Sequence, residues 1–395
     1  MLIKRLEVKG FKSLKDVVWE PGPLTILIGP NGSGKTNILK TIELISSTGK
    51  GALEDTIQIF GGISSIFWDG TCRDIYIDFK INIGEYDYCS TPTYATYQIN
   101  INNSLFSSSY TLNHEKYTTY NEYNSKFSTL INKNSTTATI ITEGTNKQIE
   151  INKQPSLNKE TIVSRYRDRF DTDHEISALQ YLLSTISIHY TIQITSSAKI
   201  RFPLITRHET NVHSDGQNLV NVLHTLYSEN RDFENDINTA MRAAFGDDFD
   251  RLVFPPAADQ LVQLRIRWKS LKREQSMLDL SDGTIRFLFL MTVLCNPDPP
   301  PLIAIDEPET GLHPSMFPII AEYAAEASKR TQVIFSTHSP QFLDAFGEYN
   351  PTTTVTVWKD GETKIKNLDG DALKQWLEHY SLGTLFLSGD LEALA

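Results

Sequence analysis

The eight residues at positions 29 to 36 constrain this chain more than any other stretch. They fit the pattern G-x-x-x-x-G-K-[ST] in full. An apolar run of strand length at 24–28 precedes them, and residues with helical spacing at 37–45 follow, which is the setting that the motif requires. The residues of this glycine loop are Gly29, Pro30, Asn31, Gly32, Ser33, Gly34, Lys35 and Thr36.

Each residue type in the loop has a chemical reason. Glycines let backbone N–H groups approach phosphate oxygens without a Cβ atom in the way. The N-terminus of the following helix favours anions through its unpaired N–H groups and its dipole. We therefore expect Lys35 to reach the β- and γ-phosphates of a nucleotide, and the Thr36 hydroxyl to ligate Mg²⁺.

Composition narrows the class of protein. With 395 residues and 40% hydrophobic content, the chain can form one large or two medium domains. No apolar stretch approaches the length of a membrane span, so we expect no membrane partner. The three cysteines show no C-x-x-C spacing, which predicts a reduced, cytoplasmic protein. The net charge of −11 argues against a broadly basic nucleic-acid binder, while a local basic patch stays open.

Hydrophobic periodicity divides the chain into three predicted parts. Residues 1–84 form the N-terminal part of the head that carries the glycine loop. Residues 85–200 form an inserted β-hairpin and helical region, with an antiparallel meander at 90–160. Residues 201–395 form a helical subregion and the C-terminal part of the head. The expected strands are 2–8, 14–19, 75–83, 188–194, 251–254, 261–268, 302–305 and 332–336, and the expected helices are 173–187, 215–228, 231–245, 285–294 and 315–328.

Two strand ends in the C-terminal third carry polar groups. Residues 302–305 are apolar and are followed by Asp306 and Glu307, which is typical of a strand buried on both faces of a mostly parallel sheet. Asp306 would hold Mg²⁺, and Glu307 would orient the attacking water. The strand at 332–336 comes shortly before His338, which either bonds a γ-phosphate or has a structural role.

A serine–glycine turn opens the apolar helix at 285–294. Ser281, Asp282 and Gly283 form this turn. Such a turn is a second candidate anion site, because the start of a helix presents free N–H groups. An ordinary helix N-cap stays open as the alternative, because serine and aspartate both cap helices well.

The motifs in this order resemble those of the ABC-class ATPases: glycine loop, L-S-D-G-T, hydrophobic-D-E, G-L-H-P and T-H-S-P. The chain is similar to the branch of SMC, RecF and OLD-family ATPases, and within it to bacterial AAA-family ATPases often found in phage-defence operons. The residues that carry this last similarity are 215–219, 305–309 and 380–383. The resemblance implies an α/β fold, a P-loop NTPase of the ABC-ATPase head type with a mixed sheet and a β-rich and helical insertion.

The resemblance also implies roles for single residues. The loop 29–36 would be the Walker A motif, Asp306 and Glu307 the Walker B pair, and His338 the switch histidine. Ser281 and Gly283 would be the signature, with Asp282 where a second glycine is more familiar and Thr284 where glutamine is usual. The D-loop would lie at 310–313, and Gln58 is a candidate for the Q-loop glutamine.

In this class the signature of one head completes the site of another. One full set of motifs therefore predicts a homodimer with two composite sites for ATP and Mg²⁺. The sequence shows no sustained heptads, no clustered acids of a Toprim nuclease and no HNH pattern. We therefore expect a separate effector protein, a nuclease or a toxin, and DNA stays a possible partner.

Two functions follow from the resemblance and stay open. The first is an ATP-hydrolysing head that drives or controls an effector in anti-phage defence or DNA processing. The second is a slow nucleotide-gated sensor or scaffold that holds a toxic partner inactive, without motor activity on DNA. The motifs are common to both functions.

Two surfaces are candidates for partner contact. Arg265, Arg267 and Lys269 alternate with apolar residues, so a strand would place all three on one face, as a phosphate-contacting stripe or as a solvated polar face. The insertion is rich in tyrosine, a residue favoured at interfaces, and its outer edge would dock the effector unless it only completes the hairpin layer. These tyrosines are Tyr86, Tyr88, Tyr94, Tyr97, Tyr110, Tyr117, Tyr120 and Tyr123.

Overall fold

The computed structural model describes nine ranges of the chain, and every statement below concerns them. They are residues 3–82, 93–103, 109–121, 125–142, 145–150, 155–166, 174–258, 260–368 and 381–389. The strands are β1 (Ile3–Phe11), β2 (Leu14–Trp19), β3 (Leu24–Ile28), β4 (Asp74–Asn82), β5 (Thr93–Asn103), β6 (Tyr110–Asn121), β7 (Lys126–Lys133), β8 (Thr137–Thr142), β9 (Thr145–Glu150), β10 (Ser187–His189), β11 (Leu204–Ile205), β12 (Phe249–Val253), β13 (Pro256–Ala257), β14 (Leu261–Val262), β15 (Arg265–Trp268), β16 (Gln275–Ser276), β17 (Leu302–Asp306), β18 (Gln332–Thr337), β19 (Thr352–Lys359) and β20 (Glu362–Leu368). The helices are α1 (Lys35–Lys50), α2 (Leu53–Ile59), α3 (His174–Thr185), α4 (Leu219–Glu229), α5 (Arg231–Phe245), α6 (Asp282–Leu294), α7 (Phe317–Ala327), α8 (Pro340–Asp344) and α9 (Leu382–Ser388).

A six-stranded sheet carries the glycine loop. Its order is β10-β17-β18-β3-β19-β20, and every neighbouring pair is parallel except β19 and β20. Strands β3 and β18 are buried throughout, and β17 is buried up to its last residue, as continuous apolar runs predict for strands covered on both faces. Since parallel strands end at the same edge of a sheet, the residues that follow β3, β17 and β18 meet there. We call this edge the carboxyl edge.

An eight-stranded antiparallel sheet forms a second layer, in the order β2-β1-β4-β5-β6-β7-β8-β9. The expected meander is therefore present, and its strands extend the sheet that β1, β2 and β4 begin. Buried and less buried residues alternate along β4 and over most of β6, and Tyr97, Tyr110 and Tyr117 of the sheet are buried. The interpretation of these three tyrosines as contact surface is wrong, because they fill the core. Tyr86, Tyr88 and Tyr123 lie outside the described residues, and Tyr94 and Tyr120 are half-buried.

Helices α1 and α3 lie between the two sheets. Apolar residues of both helices share one buried cluster with inward residues of the eight-stranded sheet and with one face of the six-stranded sheet. Members of this cluster are Ile38, Ile42, Ile45, Ile77, Phe79, Leu179, Leu183, Ala304 and Ile334. The opposite face of the six-stranded sheet packs against α4 to α8 in a second cluster. The glycine loop thus begins a helix that is held from both sides.

Three expected elements differ from the sequence patterns. The run 261–268 forms two strands, β14 and β15, which belong to two different three-stranded sheets. The run 188–194 is a strand only over Ser187–His189. Helix α4 begins at Leu219 rather than 215, because residues before it form a turn in which Gly216 has a φ of +70°. In the part of the chain that the structure describes, no helix combines the length and apolar character needed to cross a membrane.

Candidate functional site

The glycine loop joins β3 to α1. Gly34 caps α1 with a φ of +107°, a left-handed conformation that favours glycine. A Cβ atom on Gly34 would overlap with the Thr363 hydroxyl, so the loop packs directly against β20 at this position. Ser33 Oγ lies 2.6 Å from Thr356 Oγ1 of β19. The hairpin β19–β20 therefore packs against the glycine loop and restricts its conformation.

Lys35 folds back over the loop that precedes it. Its Nζ donates to the carbonyl oxygens of Gly29 at 2.6 Å and Pro30 at 3.0 Å. The side chain is nearly fully buried, and burial lowers the pKa of its ammonium group, while Glu307 and Asp306 act in the opposite direction. A buried cation near three acidic side chains, those of Glu307, Asp306 and Glu309, is thus present at the carboxyl edge.

Asp306 links the loop to the two neighbouring strand ends. The Thr36 hydroxyl donates to Asp306 Oδ2 at 3.1 Å, and the Ser336 hydroxyl donates to Asp306 Oδ1. Burial raises the pKa of the Asp306 carboxyl, and the hydrogen bonds from Ser336 and Thr36 oppose that rise. Two hydroxyls and a carboxylate thus converge where β17 ends.

Glu307 has a strained backbone beside that cluster. Its φ is +48°, a left-handed conformation that is uncommon for residues other than glycine. Its N–H donates to the Ser336 carbonyl at 2.9 Å, and its Oε1 lies 3.0 Å from His338 Nδ1. Glu307 and His338 are both partly exposed, with 37% and 43% of their side chains accessible. A carboxylate and an imidazole therefore face solvent together at the carboxyl edge.

Glu309 lies next to this pair, at a position for which the sequence pattern predicts no role. It is 8% exposed, and its Oε1 accepts a hydrogen bond from Thr337 Oγ1 at 2.5 Å. Its Oε2 is buried and has no hydrogen-bond partner among the described residues. Burial raises the pKa of this carboxyl, and His338 Nδ1 is 3.9 Å away. The only sequence signal for Glu309 was its place in the D-E-P-E run.

Ser281 and Gly283 lie at the start of α6, and among the described residues neither makes a hydrogen bond to the cluster at the carboxyl edge. Ser281 caps α6, where its Oγ accepts from Thr284 N at 3.1 Å and lies 2.8 Å from Thr284 Oγ1. A Cβ atom on Gly283 would meet the Gly311 carbonyl at 3.0 Å, so the expected D-loop packs against the expected signature. Within one chain, the structure thus brings together Lys35, Thr36, Asp306, Glu307 and His338, and it leaves the signature on a separate exposed turn.

Two further candidates lie elsewhere. Gln58 is exposed near the end of α2. In the basic stripe, Arg267 Nε is 3.7 Å from Asp250 Oδ2, and Lys269 follows the end of β15 instead of continuing its face. Contact of this stripe with phosphate stays a prediction.

Comparison with known families identifies the class. The family model described as "AAA domain, putative AbiEii toxin, Type IV TA system" matches residues 24–344, most of the chain and every motif of the site. The chain belongs to this family. The expected resemblance to the SMC- and OLD-like branch of the ABC-class ATPases is thereby confirmed.

Sequence relatives match this AAA domain over short segments. A stretch of 44 residues is 52% identical to the OLD nuclease of Thermus scotoductus, covering 11% of this chain and 8% of that protein. A stretch of 47 residues is 45% identical to the chromosome partition protein Smc of Halothermothrix orenii, covering 11% of this chain and 4% of that protein. The matched segments span less than a tenth of either relative.

Solved structures match over nearly the whole chain. A crystal structure of an Smc head bound to the C-winged helix domain of ScpA has a TM-score of 0.55 and 16% identity, covering 95% of this chain and 100% of that one. An Smc head with an extended coiled coil, bound to the C-terminal domain of ScpA from Pyrococcus furiosus, has a TM-score of 0.55 and 14% identity, covering 96% and 99%. The fold is therefore a P-loop NTPase of the ABC-ATPase head type, as expected.

Proposed function

We propose that this chain binds and hydrolyses ATP, dimerises around it and controls a partner effector. The carrying observation is the 3.1 Å hydrogen bond from the Thr36 hydroxyl to Asp306 Oδ2, which joins the glycine loop to the end of β17. Lys35, Glu307 and His338 lie at the same edge of the sheet. Membership in a family of AAA domains supports nucleotide binding as the underlying activity.

The residues at the carboxyl edge fit a magnesium ion. Thr36 and Asp306 offer hard oxygen ligands, the kind that Mg²⁺ prefers. No group of three or more His, Cys, Asp or Glu side chains that could hold a metal occurs in the described ranges. Mg²⁺ sites of nucleotide enzymes use one or two protein oxygens together with substrate phosphates and water, so this donor set suits it. When bound, Mg²⁺ would neutralise the charge that develops on the phosphates.

The remaining groups divide the work of hydrolysis. The Lys35 ammonium would exchange the carbonyls of Gly29 and Pro30 for the β- and γ-phosphate oxygens. The Glu307 carboxylate would accept a hydrogen bond from the attacking water and orient it. His338, 3.0 Å from Glu307, would donate a hydrogen bond to the γ-phosphate. These roles match the partial exposure of Glu307 and His338.

The exposure of the turn that carries Ser281 and Gly283 supports a shared site. Their hydroxyl and N–H groups lie on an exposed turn at the start of α6, whose N-terminus favours anions. In an isologous dimer, the turn of one head would meet the nucleotide of the other, which gives two equal sites. ATP would then hold the interface together, and hydrolysis would release it.

We further propose a separate effector, a nuclease or toxin in anti-phage defence. The words "putative AbiEii toxin, Type IV TA system" in the family description and the nuclease name of one relative support that context. The Smc heads that share this fold were solved with ScpA domains bound, which supports a head that docks another chain. A slow sensor that only holds a toxic partner is the alternative. Release of the partner without ATP hydrolysis would favour this alternative.

Mixing two inactive variants tests the shared site. Lys35→Ala removes the loop cation, and Ser281→Arg blocks the signature turn, so each homodimer should lose hydrolysis. A heterodimer of the two variants has one composite site with both halves intact, and phosphate release should return to roughly a quarter of wild type in an equal mixture. If native mass spectrometry shows the heterodimer and no hydrolysis returns, the proposed shared site is wrong.

A further inference from the structure

A buried arginine lies behind the signature turn. Arg201 is 7% exposed, and its Nε donates to the Ile194 carbonyl at 2.8 Å. Its Nη1 donates to the carbonyls of Met277 and Leu280, each at 2.9 Å, and its Nη2 donates to Asp282 Oδ1. A buried charge is costly unless it is paired and hydrogen-bonded, and here three carbonyls and one carboxylate fulfil both conditions.

The guanidinium holds the two residues that flank Ser281. It bonds the main-chain oxygen of Leu280 on one side and the carboxylate of Asp282 on the other. The guanidinium is planar with a fixed fork of donors, so these two contacts fix the direction of the turn between them. Ser281 Oγ, which caps α6, is therefore oriented by a residue 80 positions earlier in the chain.

Arg201 is itself braced by the segment that resembled the defence-operon ATPases. Gln217 Oε1 accepts from the N–H of Ile200 at 3.1 Å, and Gln217 Nε2 donates to the Gln193 carbonyl at 2.9 Å. One glutamine thus joins both ends of the segment that carries Arg201. This contact gives the D-G-Q-N-L run a structural reason that its sequence alone did not supply.

The negative charge of Asp282 at this turn gives a second reason for the arginine. Asp282 stands beside Ser281 with 65% of its side chain exposed, at the place where the proposed function brings the triphosphate of a second head. A free carboxylate there would repel that triphosphate. The Arg201 guanidinium forms an ion pair with the Asp282 carboxylate and so compensates its negative charge from the buried side of the turn.

We propose that Arg201 is a positioning residue for the signature: it fixes Leu280 and Asp282 so that Ser281 and Gly283 present hydrogen-bond donors to the ATP phosphates of a partner head. The proposal rests on the shared site described above. It assigns Arg201 an effect on the other head's nucleotide and none on the nucleotide at its own glycine loop.

Heterodimer mixing with Arg201→Met tests this assignment. The variant alone should bind a fluorescent ATP analogue like wild type, yet hydrolyse ATP at least about tenfold more slowly, because the charge-assisted bonds that fix the turn are gone. Mixing it with Lys35→Ala should restore hydrolysis, since the Arg201→Met head then contributes a sound glycine loop. Mixing it with Ser281→Arg should restore nothing, since both heads then carry a faulty signature.

Each other outcome has a definite meaning. Rescue by Ser281→Arg but not by Lys35→Ala would place the effect at the glycine loop of the same head and overturn the proposal. Rescue by neither variant, with a wild-type melting temperature and confirmed heterodimers, would also overturn it. The pair Lys35→Ala and Ser281→Arg runs in parallel, and if that pair fails, the shared site itself is wrong and this proposal falls with it.

Two further variants keep the test decisive if Arg201→Met does not fold. Asp282→Ala removes the contact from its exposed side and should show the same rescue pattern, so wild-type hydrolysis by this variant would overturn the proposal. Arg330→Met is the matched control, because Arg330 Nη1 likewise holds two carbonyls, those of Asn296 at 2.9 Å and Pro297 at 3.2 Å, in a loop outside the site. Its hydrolysis should equal that of wild type.

Discussion

The polar cluster around Glu115 in the eight-stranded sheet and the polar cluster at the carboxyl edge differ in how fully their buried groups are paired. In the eight-stranded sheet, Glu115 is fully buried, and its oxygens accept hydrogen bonds from Tyr97 Oη at 3.1 Å, Ile162 N at 2.6 Å and Val163 N at 3.1 Å. Burial raises the pKa of its carboxyl, and the Lys133 ammonium acts to lower it. These contacts join β6 to the neighbouring strand β5 and to the segment at 162–163.

The carboxyl edge shows the opposite arrangement. Glu309 has one buried oxygen without a partner in the described ranges, and Glu307 is held at a φ of +48° with its carboxylate partly exposed. Unsatisfied polar atoms and strained backbones reduce stability, so a protein retains them where they serve another purpose. Under the proposed function, the paired cluster supports the fold and the incompletely paired cluster supports chemistry.

The largest expected effect that separates the two clusters comes from Glu307→Gln. Phosphate release should fall by about 10²- to 10³-fold, because the side chain that orients the attacking water loses its charge. ATP binding and unfolding free energy should stay near wild type, and an ATP-bound dimer should accumulate in size-exclusion chromatography. Phosphate release near the wild-type rate would contradict the role of Glu307.

Glu115→Ala should give the reverse result. Removing this buried carboxylate leaves three donors without their acceptor and takes away the negative charge near the Lys133 ammonium, and we expect a loss of about 3 kcal/mol in unfolding free energy. Hydrolysis per folded molecule should stay close to wild type, as measured below the melting transition. Loss of hydrolysis with unchanged stability would show that the hairpin layer takes part in the chemistry.

Glu309→Gln should give the smallest effect and sharpen the boundary between the clusters. The unfolding free energy should change by less than about 1 kcal/mol, because one oxygen of Glu309 already lacks a partner. Hydrolysis should fall by about tenfold, because the imidazole of His338 loses a neighbouring carboxylate. A large loss of stability with normal hydrolysis would place Glu309 in the same class as Glu115.

The sequence predicted the carboxyl edge well because its signals are local. A few residues suffice to predict the glycine loop and the strands β17 and β18. Parallel strands then bring the ends of these elements together at one edge of the sheet. The same reasoning found the strands of the insertion. It could not find which tyrosines face inward, because tyrosine combines an apolar ring with a polar tip and suits both faces.

Contacts between residues far apart in the chain could not be predicted from the sequence. The bond from Arg201 to Asp282 joins positions 81 apart, and Thr363 presses on Gly34 from the far end of the chain. Neither contact produces a periodic pattern in the sequence. From the sequence alone, an isolated arginine or threonine is indistinguishable from an ordinary surface residue. The sequence shows that Asp282 departs from the usual signature, but it does not show that Arg201 is the partner of Asp282.

Helix α1 is shared by both layers of the molecule, and this has a mechanical consequence. Its end is fastened by hydrogen bonds from Thr161 Oγ1 to the Thr48 carbonyl at 2.8 Å and from Gln180 Nε2 to the Gly49 carbonyl at 2.9 Å. A Cβ atom on Gly49 would lie 2.7 Å from that of Leu183, so α1 and α3 are in close contact and cannot slide past each other. The glycine loop and the hairpin layer are therefore joined through α1, and we expect a change of shape during the proposed ATP turnover to leave this contact between α1 and α3 intact.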